Sequence, residues 1–436
     1  MLISLTLQNC RSFADPVTFS LVKGRCKQHP DHVIEGDDGL DVLPVALVFG
    51  ANAAGKSNLI NTVRDAKQII TESKPLAACY VPFKLDTKLS SSPTKFEFTF
   101  RASGSVFQYI IEFNASLVIQ ERLAVLPNDE SDDIVLFSRE GEKFELAGLE
   151  LSGDQLEFAS FVARITPNNK LFLTELSERD LFDKIHATKL KSAFDWFKNT
   201  LVTRDSQQIQ SSLPKRLSED SKFCARVSDA VSSIDVGIKR LGSTNRELNE
   251  IPDLVNSIFA AGLAEFGMPG TYFEKQEEKV LVHTTHAVRE DRQGEEIRFN
   301  LKEESSGTRR FIHLIPALAE CQDEPRVFFV DELDNNLHPL LTKSFVQNFL
   351  SNGAQSQMIA TTHESTLLDS GLVRRDEIWL LEKQSDGSSE LKSVEEYKIR
   401  PDLDIKRAYL GGRFGGIPLV QDATWIVENV ETERQV

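Results

Sequence analysis

The feature that most constrains this chain is a glycine-rich stretch, VALVFGANAAGKSNLINTV, at residues 45–63. Within it, Gly50, Gly55, Lys56 and Ser57 fit the pattern G-x-x-x-x-G-K-[ST]. An apolar run precedes the pattern and apolar residues at helical spacing follow it, as a strand–loop–helix unit requires. Chance alone produces the pattern in roughly one or two of every hundred chains of this length, and this context makes chance rarer still. The stretch therefore predicts a phosphate-binding loop in an α/β fold.

The predicted loop directs backbone N–H groups at phosphate oxygens, because glycine lets the chain turn tightly. The helix that follows points its positive dipole end at the same place. We expect Lys56 to reach the β- and γ-phosphates of ATP and the hydroxyl of Ser57 to bind Mg²⁺. The predicted nucleotide contacts in this stretch are Gly50, Asn52, Ala53, Ala54, Gly55, Lys56, Ser57 and Asn58.

A second constraint is the stretch RVFFVDELDNNLHP at residues 326–339, in which four apolar residues run directly into Asp331 and Glu332. Carboxylates at the end of a buried strand cost free energy unless a cation lies beside them. With magnesium and nucleotide at the loop, Asp331 is predicted to hold Mg²⁺ through a water. Neighbouring side chains on a strand diverge, so Glu332 is predicted to orient and deprotonate the attacking water instead. Two exposed charges at a strand end are the alternative.

Two polar segments add candidate phosphate contacts. Ser305, Ser306 and Gly307 precede apolar residues at helical spacing, so they form either an anion cradle or an ordinary serine cap of a helix. The stretch QMIATTHES predicts a strand over residues 357–361 that ends near His363. One strand–helix–strand unit separates it from the acidic strand, which places both at the same edge of a parallel sheet. His363 is then predicted to donate to a γ-phosphate or to the attacking water; a structural histidine is the alternative.

Length and composition bound the class of protein. A chain of 436 residues exceeds the usual size of one core, so two lobes are expected. No run approaches the ~18 apolar residues of a membrane helix, and we expect no membrane partner. Five cysteines without a CxxC pair argue against a disulfide framework or zinc site and for a cytoplasmic location. The net charge of −16 argues against a surface covered in basic residues for nucleic acid, but it leaves a local DNA contact open.

The chain divides into three predicted segments. Residues 1–126 form an N-terminal lobe with the phosphate loop and a β-meander over 94–126, where Phe, Ile and Val alternate with polar residues. Residues 127–295 are predicted to be a mainly helical insertion. Residues 296–436 return to strand–helix–strand alternation and end in a hairpin that turns at Asp386-Gly387. The helical prediction rests on two apolar stripes, Leu190, Phe194, Phe197, Leu201 and Val227, Val231, Ile234, Ile238.

These motifs together resemble an ABC-type ATPase of the SMC, RecF and OLD branch, and the opening LQNCRSF adds to the resemblance. The resemblance implies an α/β P-loop NTPase fold, the ABC ATPase head, with a β-meander and a helical insertion. It implies that Arg11 or Ser12 approaches the nucleotide. It also implies that two copies enclose ATP, with Ser306 and Gly307 on the γ-phosphate bound to the partner's Lys56, and with Asp334 on the loop that crosses the dimer axis.

The tail PDLDIKRAYLGGRFGGIP is similar, more loosely, to bacterial stand-alone OLD-like ATPases of abortive-infection and PARIS-type anti-phage loci. OLD nucleases carry a Toprim nuclease domain after the ATPase, and the segment after His363 is too short for one. The glutamine loop of the family has no clear position in this sequence.

The leading functional hypothesis is an AAA-like, ABC-type ATPase that forms a homodimer or higher homo-oligomer through ATP sites. As sensor or scaffold it would control a separate effector, a nuclease or toxin, in antiviral defence. A RecF- or SMC-like DNA-binding protein of DNA repair is the alternative, and salt-sensitive, ATP-dependent binding to duplex DNA would favour it. An autonomous nuclease and a transporter motor are further alternatives, for which the sequence offers no catalytic cluster and no membrane segment.

Overall fold

The computed structural model describes the whole chain except residues 130, 150, 152, 185–186, 205–211, 234–236, 249–251, 261–264, 269, 277–278, 354, 370, 398–399, 401–402 and 416–436. The strands are β1 (Leu2–Gln8), β2 (Val17–Ser20), β3 (Val45–Gly50), β4 (Thr94–Ala102), β5 (Ser105–Phe113), β6 (Val118–Leu126), β7 (Ile134–Glu140), β8 (Lys143–Glu145), β9 (Leu201–Arg204), β10 (Arg240–Glu247), β11 (Glu265–Met268), β12 (Thr271–Gln276), β13 (Lys279–Glu290), β14 (Glu296–Asn300), β15 (Val327–Val330), β16 (Gln357–Thr361), β17 (Ile378–Lys383) and β18 (Ser389–Ser393). The α-helices are α1 (Lys56–Glu72), α2 (Leu76–Cys79), α3 (Asp154–Ile165), α4 (Phe172–Glu178), α5 (Thr188–Asp195), α6 (Leu213–Glu219), α7 (Ser221–Ser232), α8 (Asp253–Ala260), α9 (Ser306–Glu320), α10 (Pro339–Asn352) and α11 (Ile405–Leu410).

A six-stranded sheet in the order β18-β17-β3-β16-β15-β9 positions the predicted site. Every pair from β17 to β9 is parallel, and only the hairpin strand β18 runs antiparallel. The residues of β3, β15 and β16 are all buried, which explains their continuous apolar runs, because a parallel sheet is covered on both faces. The carboxyl ends of these three strands meet at one edge, so the loops that follow them are neighbours.

A seven-stranded antiparallel sheet in the order β2-β1-β4-β5-β6-β7-β8 confirms the predicted meander and opening strand. Side chains of β4 alternate between buried and half-buried, as a sheet with one covered face requires. Its aromatic residues pack on the helical layer, where the ring of Phe100 stacks on Trp196 at 4.2 Å between centroids. The hairpin of β17 and β18 is confirmed as well, with Gly387 of its turn at φ 84°.

The segment 127–295, predicted to be mainly helical, contains helices α3 to α8 and also strands β7 to β13. Within it, β7 and β8 extend the meander sheet, β9 joins the parallel sheet, and β10 to β13 form a separate antiparallel sheet with β14. Sequence analysis missed these strands because β10, for example, exposes most of its polar residues and shows little apolar alternation. The proposed limits of the three segments remain a prediction.

The two predicted apolar stripes extend beyond the ends of their helices. Helix α5 contains Leu190 and Phe194, a π-helical turn carries Phe197, and Leu201 already begins β9. Helix α7 ends at Ser232, so Ile238 lies beyond it, and Ile234 lies outside the described residues. The described residues of both stripes are buried core, on the helices and beyond their ends.

All five cysteines are free thiols. No helix in the part of the chain that the structure describes is both long and apolar enough to cross a membrane.

Candidate nucleotide site

The loop between β3 and α1 needs both glycines of its motif. A Cβ on Gly50 would lie 2.5 Å from the carbonyl oxygen of Leu381. Gly55 has φ 112°, where side chains are strained, and a Cβ there would lie 2.6 Å from Ser12 Oγ and from Ser389 Oγ. The loop is thus packed against the opening turn on one side and the C-terminal hairpin on the other, which leaves its backbone closely supported.

Hydrogen bonds from these two serines fix the loop. Ser389 Oγ donates to the Ala54 carbonyl at 2.6 Å, and the Ser389 N–H donates to the Ser12 carbonyl at 2.7 Å. Asn58 Nδ2 donates to Ser12 Oγ at 2.9 Å. Sequence analysis had no signal for Ser389, which is 335 residues from its partner in the loop.

Lys56 is buried and donates from Nζ to two carbonyls of its own loop, Gly50 at 2.8 Å and Ala51 at 3.0 Å. Burial lowers the pKa of its ammonium group to about 8, although the carboxylates of the acidic turn 331–334 act in the opposite direction. The charge of Lys56 is therefore held in a partly desolvated place beside three acidic groups, where an anion would offset the desolvation.

The acidic turn after β15 is held by one hydroxyl group. Thr361 Oγ1 donates to Asp331 Oδ1 at 2.6 Å and accepts the N–H of Glu332 at 2.8 Å. Glu332 has φ 46°, in the left-handed region that non-glycine residues seldom adopt. Asn335 Nδ2 donates to Glu332 Oε2 at 3.1 Å. The two carboxylates have separate hydrogen-bond partners, as a division of roles between them requires.

His363 is the second residue after β16, and its N–H lies 3.2 Å from Asp334 Oδ1. The same oxygen accepts the hydroxyl of Thr362 at 2.7 Å. Burial, and then the nearby Lys56 ammonium, lower the pKa of the His363 imidazole, which favours its neutral form. Asp334 thus binds backbone and hydroxyl groups of its own chain; its predicted position at a dimer axis stays a prediction.

The structure brings the two halves of the predicted site into one cavity of about 430 Å³. Glu332 and His363 from the C-terminal half face the loop from the N-terminal half across it. Its lining residues are Asn52, Ala53, Gly55, Lys56, Ser57, Asn58, Glu332 and His363. Gly50, Ala54 and Asp331 lie behind this lining and are buried.

Arg11 does not line this cavity. Its guanidinium pairs with Asp65 on α1, and its backbone N–H donates to the Val81 carbonyl at 2.6 Å. Of the two residues that the resemblance left open, Ser12 is the one beside the loop, because its hydroxyl meets Asn58. Arg11 as a nucleotide contact stays a prediction without a contact in this chain to support it.

Among the described residues, the serine–glycine turn at the start of α9 does not line the cavity. Ser305 is the N-cap of α9, since its Oγ accepts the Thr308 N–H at 3.1 Å. A Cβ on Gly307 would lie 2.7 Å from the Asn336 carbonyl, so this turn packs on the loop that follows the acidic residues. The ordinary-cap alternative therefore describes Ser305 correctly, and the anion cradle remains a prediction.

Arg310 is a site residue that sequence analysis missed. It is 4% exposed and donates from α9 to the carbonyls of Asp331 at 2.9 Å and Glu332 at 2.8 Å. It connects the helix that begins at Ser306 to the acidic turn. The only sequence signal was a pair of consecutive arginines in an otherwise apolar helix face. A glutamine loop is not placed either: β9 ends at Arg204, and residues 205–211 lie outside the described residues.

The sheet order and the cavity define an α/β P-loop NTPase with the fold of an ABC ATPase head. The chain matches the model of one family over residues 45–369, and that family is described as "AAA domain, putative AbiEii toxin, Type IV TA system". The chain belongs to this family of ATP-binding AAA-type ATPases. No curated protein matches the chain.

Solved structures with a similar fold include SMC head domains. One, from Thermotoga maritima, is 13% identical with a TM-score of 0.40 and covers 90% of this chain and 98% of that chain. A second, bound to the C-winged helix domain of ScpA, is 14% identical with a TM-score of 0.41 over 90% and 97%. A third, with an extended coiled coil and the C-terminal domain of ScpA derived from Pyrococcus furiosus, is 12% identical with a TM-score of 0.39 over 90% and 96%.

Proposed function

We propose that this protein binds and hydrolyses ATP with Mg²⁺, assembles through its nucleotide sites, and controls a separate effector in bacterial anti-phage defence. The observation that carries the proposal is the single cavity in which Lys56 and Ser57 face Glu332 and His363. These groups come from three neighbouring strand ends of a parallel sheet, the usual place for a ligand in such a fold.

The residues present fit a magnesium triphosphate. The loop has no room for a Cβ at Gly55 and so keeps its backbone close to the cavity. Lys56 has an ammonium whose desolvation an anion would offset. Lys56 and the loop would hold the phosphates, and the Ser57 hydroxyl and Asp331 would hold the metal ion. When bound, Mg²⁺ neutralises charge that develops on the phosphates.

The chain's own groups divide the remaining work. Glu332 accepts a proton from the attacking water and orients it, with its backbone fixed by Thr361. His363, which burial keeps neutral, can donate one hydrogen bond into the cavity and accept another. Thr361 holds Asp331 so that its other carboxylate oxygen is free to take part in metal binding, directly or through a water.

Assembly follows from the position of the serine–glycine turn. Ser305, Ser306 and Gly307 begin α9 at a site that does not belong to the described cavity of their own chain. In the proposed homodimer or larger homo-oligomer, Ser306 and Gly307 contact the γ-phosphate held by the partner's Lys56, and Asp334 lies near the axis. A γ-phosphate that joins two chains makes assembly depend on the nucleotide state, and hydrolysis releases it.

The family description, which names a putative toxin of a type IV toxin–antitoxin system, supports a role in a system of more than one component. The similarity of the tail to OLD-like ATPases of abortive-infection loci supports the setting. In this proposal the protein is a cytoplasmic sensor or scaffold, and the effector is a nuclease or a toxin. Identification of the protein made from the neighbouring reading frame, by co-expression and affinity purification, tests this part separately from ATP hydrolysis.

The decisive experiment is Glu332→Gln. The variant should bind ATP like the wild type, hydrolyse it about 10²–10⁴-fold more slowly, and accumulate as an ATP-bound oligomer in size-exclusion chromatography with light scattering. Glu324→Gln, which changes an exposed carboxylate ahead of the same strand, is the matched control and should behave like the wild type.

Two outcomes would overturn the proposal. If Glu332→Gln hydrolyses ATP at the wild-type rate, Glu332 is not the base. If neither protein retains ATP with Mg²⁺, the site is not a nucleotide site. Salt-sensitive binding of the purified chain to duplex DNA in the presence of ATP would favour the DNA-repair alternative, and plasmid cleavage would favour an autonomous nuclease.

A further inference from the structure

A second cluster of polar side chains lies where α6 packs on the antiparallel sheet. Glu219 ends α6, Glu274 lies on β12 and His283 lies on β13. One ligand atom from each lies within 4.8 Å of the other two. His283 is buried at 1% exposure, Glu274 is half-buried and Glu219 is exposed. The cluster is therefore buried at His283 and open to solvent at Glu219.

The hydrogen bonds around His283 fix its tautomer. Ser218 Oγ has one hydrogen, and it donates this to the Lys215 carbonyl at 2.7 Å. The contact of 2.8 Å between Ser218 Oγ and His283 Nδ1 therefore has the imidazole as donor. With the hydrogen on Nδ1, the neutral ring directs the lone pair of Nε2 to the other side, toward Glu274.

His283 Nε2 and Glu274 Oε2 are 3.4 Å apart. Both atoms are buried, and neither has a hydrogen-bond partner among the described residues. The separation exceeds the 2.7–3.2 Å of an N–H···O bond. Two buried lone pairs that face each other are unfavourable unless a proton or a metal ion lies between them.

The separation is the one that a metal ion produces. Nitrogen and oxygen ligands lie about 2.0–2.2 Å from Zn²⁺, and a tetrahedral angle between them places the two ligand atoms about 3.4 Å apart. The other oxygen of Glu274 is bound by Lys215 Nζ at 3.0 Å, which leaves Oε2 for the ion. The contact of Ser218 with Nδ1 is the outer hydrogen bond that orients a metal-binding histidine.

We propose that Glu219, Glu274 and His283 bind a divalent transition-metal ion of the Zn²⁺ kind. One imidazole with two carboxylates favours such an ion over Mg²⁺ or Ca²⁺, which prefer oxygen ligands alone. The ligands come from three elements, so the ion fastens α6 to β12 and β13. The exposed Glu219 leaves the remaining coordination position to water.

A second histidine group, His29, Asp31 and His32, suits a metal ion less well. The rings of His29 and His32 are stacked at 4.7 Å with 16° between their planes, so their nitrogen lone pairs do not converge. His32 Nδ1 also contacts the buried Glu377 carboxylate at 3.2 Å. This group provides a competing site that the experiment must separate from the proposed one.

The experiment measures Co²⁺ and Zn²⁺ binding to the chelator-treated full chain, with excess Mg²⁺ present to fill oxygen-only sites. Metal content after dialysis and the visible spectrum of bound Co²⁺ report the stoichiometry and the ligands. We expect one ion in the wild type, affinity at least about tenfold weaker in Glu274→Gln and His283→Gln, and about 10–100-fold weaker in Ser218→Ala. His286→Gln, on the opposite face of β13, should bind like the wild type.

Melting curves provide a second test in case a variant folds poorly. Zn²⁺ should raise the melting temperature of the wild type and of His286→Gln but not of His283→Gln. The proposal fails if the wild type retains no ion. It fails equally if His283→Gln retains the ion or if His32→Gln, rather than His283→Gln, loses it.

Discussion

The phosphate-loop edge of the parallel sheet and the serine–glycine turn before α9 are built in opposite ways. At the loop edge, groups distant in sequence support the predicted site: Ser389 bonds to the loop and Thr361 holds Asp331. At the turn, the Ser305 side chain bonds to Thr308, three residues along the chain, and its carbonyl accepts the N–H of Arg309 in the same helix. The loop edge is therefore ordered by tertiary contacts. The serine–glycine turn is an exposed helix start that is ordered by contacts within its own helix.

This difference indicates how the two regions work. The loop edge is ordered by contacts within one chain. The turn has a steric requirement on its inner side, where a Cβ on Gly307 would meet the Asn336 carbonyl, and its residues Ser305 and Ser306 are exposed. Substitutions at the loop edge should therefore change binding and chemistry, and substitutions at the turn should change assembly alone.

Lys56→Ala should have the largest effect. Loss of the ammonium removes charge-assisted hydrogen bonds of about 1.5–3 kcal/mol each to the phosphates, so ATP affinity should fall at least about 100-fold. Isothermal titration with ATP and Mg²⁺ measures this. Lys74→Ala, a half-exposed lysine just beyond the same helix, is the control and should leave the affinity unchanged. Equal affinities for Lys56→Ala and the wild type would remove the loop from the nucleotide site.

Gly307→Ala tests the turn. The new Cβ would lie 2.7 Å from the Asn336 carbonyl, so the turn or the loop must shift. Overpacking of this kind costs about 1–3 kcal/mol, and ATP-dependent assembly should weaken about tenfold or more. Light scattering at several protein concentrations measures assembly. ATP affinity at dilutions where the chain is monomeric is the internal control and should not change; a loss there would mean that the two regions are not independent.

Thr361→Val tests whether the Thr361 hydroxyl positions the two carboxylates at the loop edge. The substitution keeps the shape but removes the hydroxyl that Asp331 and Glu332 share, and an unpaired buried group costs about 1–3 kcal/mol. We expect kcat to fall about tenfold with little change in KM, because the carboxylates lose their orientation while the phosphate contacts remain. Thr361→Ser restores the hydroxyl and should recover most of the rate. A change confined to KM would contradict a positioning role.

Much of this site could be predicted from local sequence, and the reason is physical. The glycine loop, the carboxylate pair and His363 each follow a buried strand, and parallel topology brings such strand ends together. Residues that hold them, such as Thr361, Ser389 and Arg310, act through contacts 21 to 335 residues distant in sequence, which no spacing rule reveals. Arg11 illustrates the converse, because Asp65 binds the side chain that the motif alone directed to the nucleotide.

The same distinction between local and distant contacts applies to the fold. Buried parallel strands appear as unbroken apolar runs, and the Phe-rich meander shows clear alternation, so both could be predicted. Strand β10 could not, because its exposed side chains are polar or charged and its partner β13 is distant along the chain. Tertiary pairing, rather than local preference, decides the structure of that region.

The pH dependence of ATP binding is a smaller effect at the loop edge. The pKa of Lys56 is lowered to about 8 from 10.5, so its charge is lost as the pH rises through about 8. ATP affinity should be constant below this pH and should fall above it by up to tenfold per pH unit. Equilibrium titrations with a slowly hydrolysed ATP analogue from pH 7 to 9 measure this trend. Lys56→Arg, which stays protonated, should show no such fall.

The same pKa shift affects stability in the opposite direction. Between pH about 8 and 10.5 the unfolded chain binds a proton at Lys56 that the folded chain lacks. The contribution of this group to the free energy of unfolding therefore rises with pH across that window. Above pH 8, ATP affinity should fall in the wild type while this contribution to the free energy of unfolding rises. Neither change should occur in Lys56→Arg.

The smallest predicted effect belongs to Ser389→Ala, at the contact between hairpin and loop. The substitution removes one hydrogen bond of 2.6 Å to the Ala54 carbonyl, and a bond of this kind contributes about 1 kcal/mol. ATP affinity should fall about fivefold, because the loop loses a support but no phosphate contact. Ser388→Ala, whose hydroxyl bonds only to Asp386 within the hairpin turn, is the matched control. If both variants bind ATP equally well, the hairpin only covers the sheet and does not hold the loop in its binding conformation.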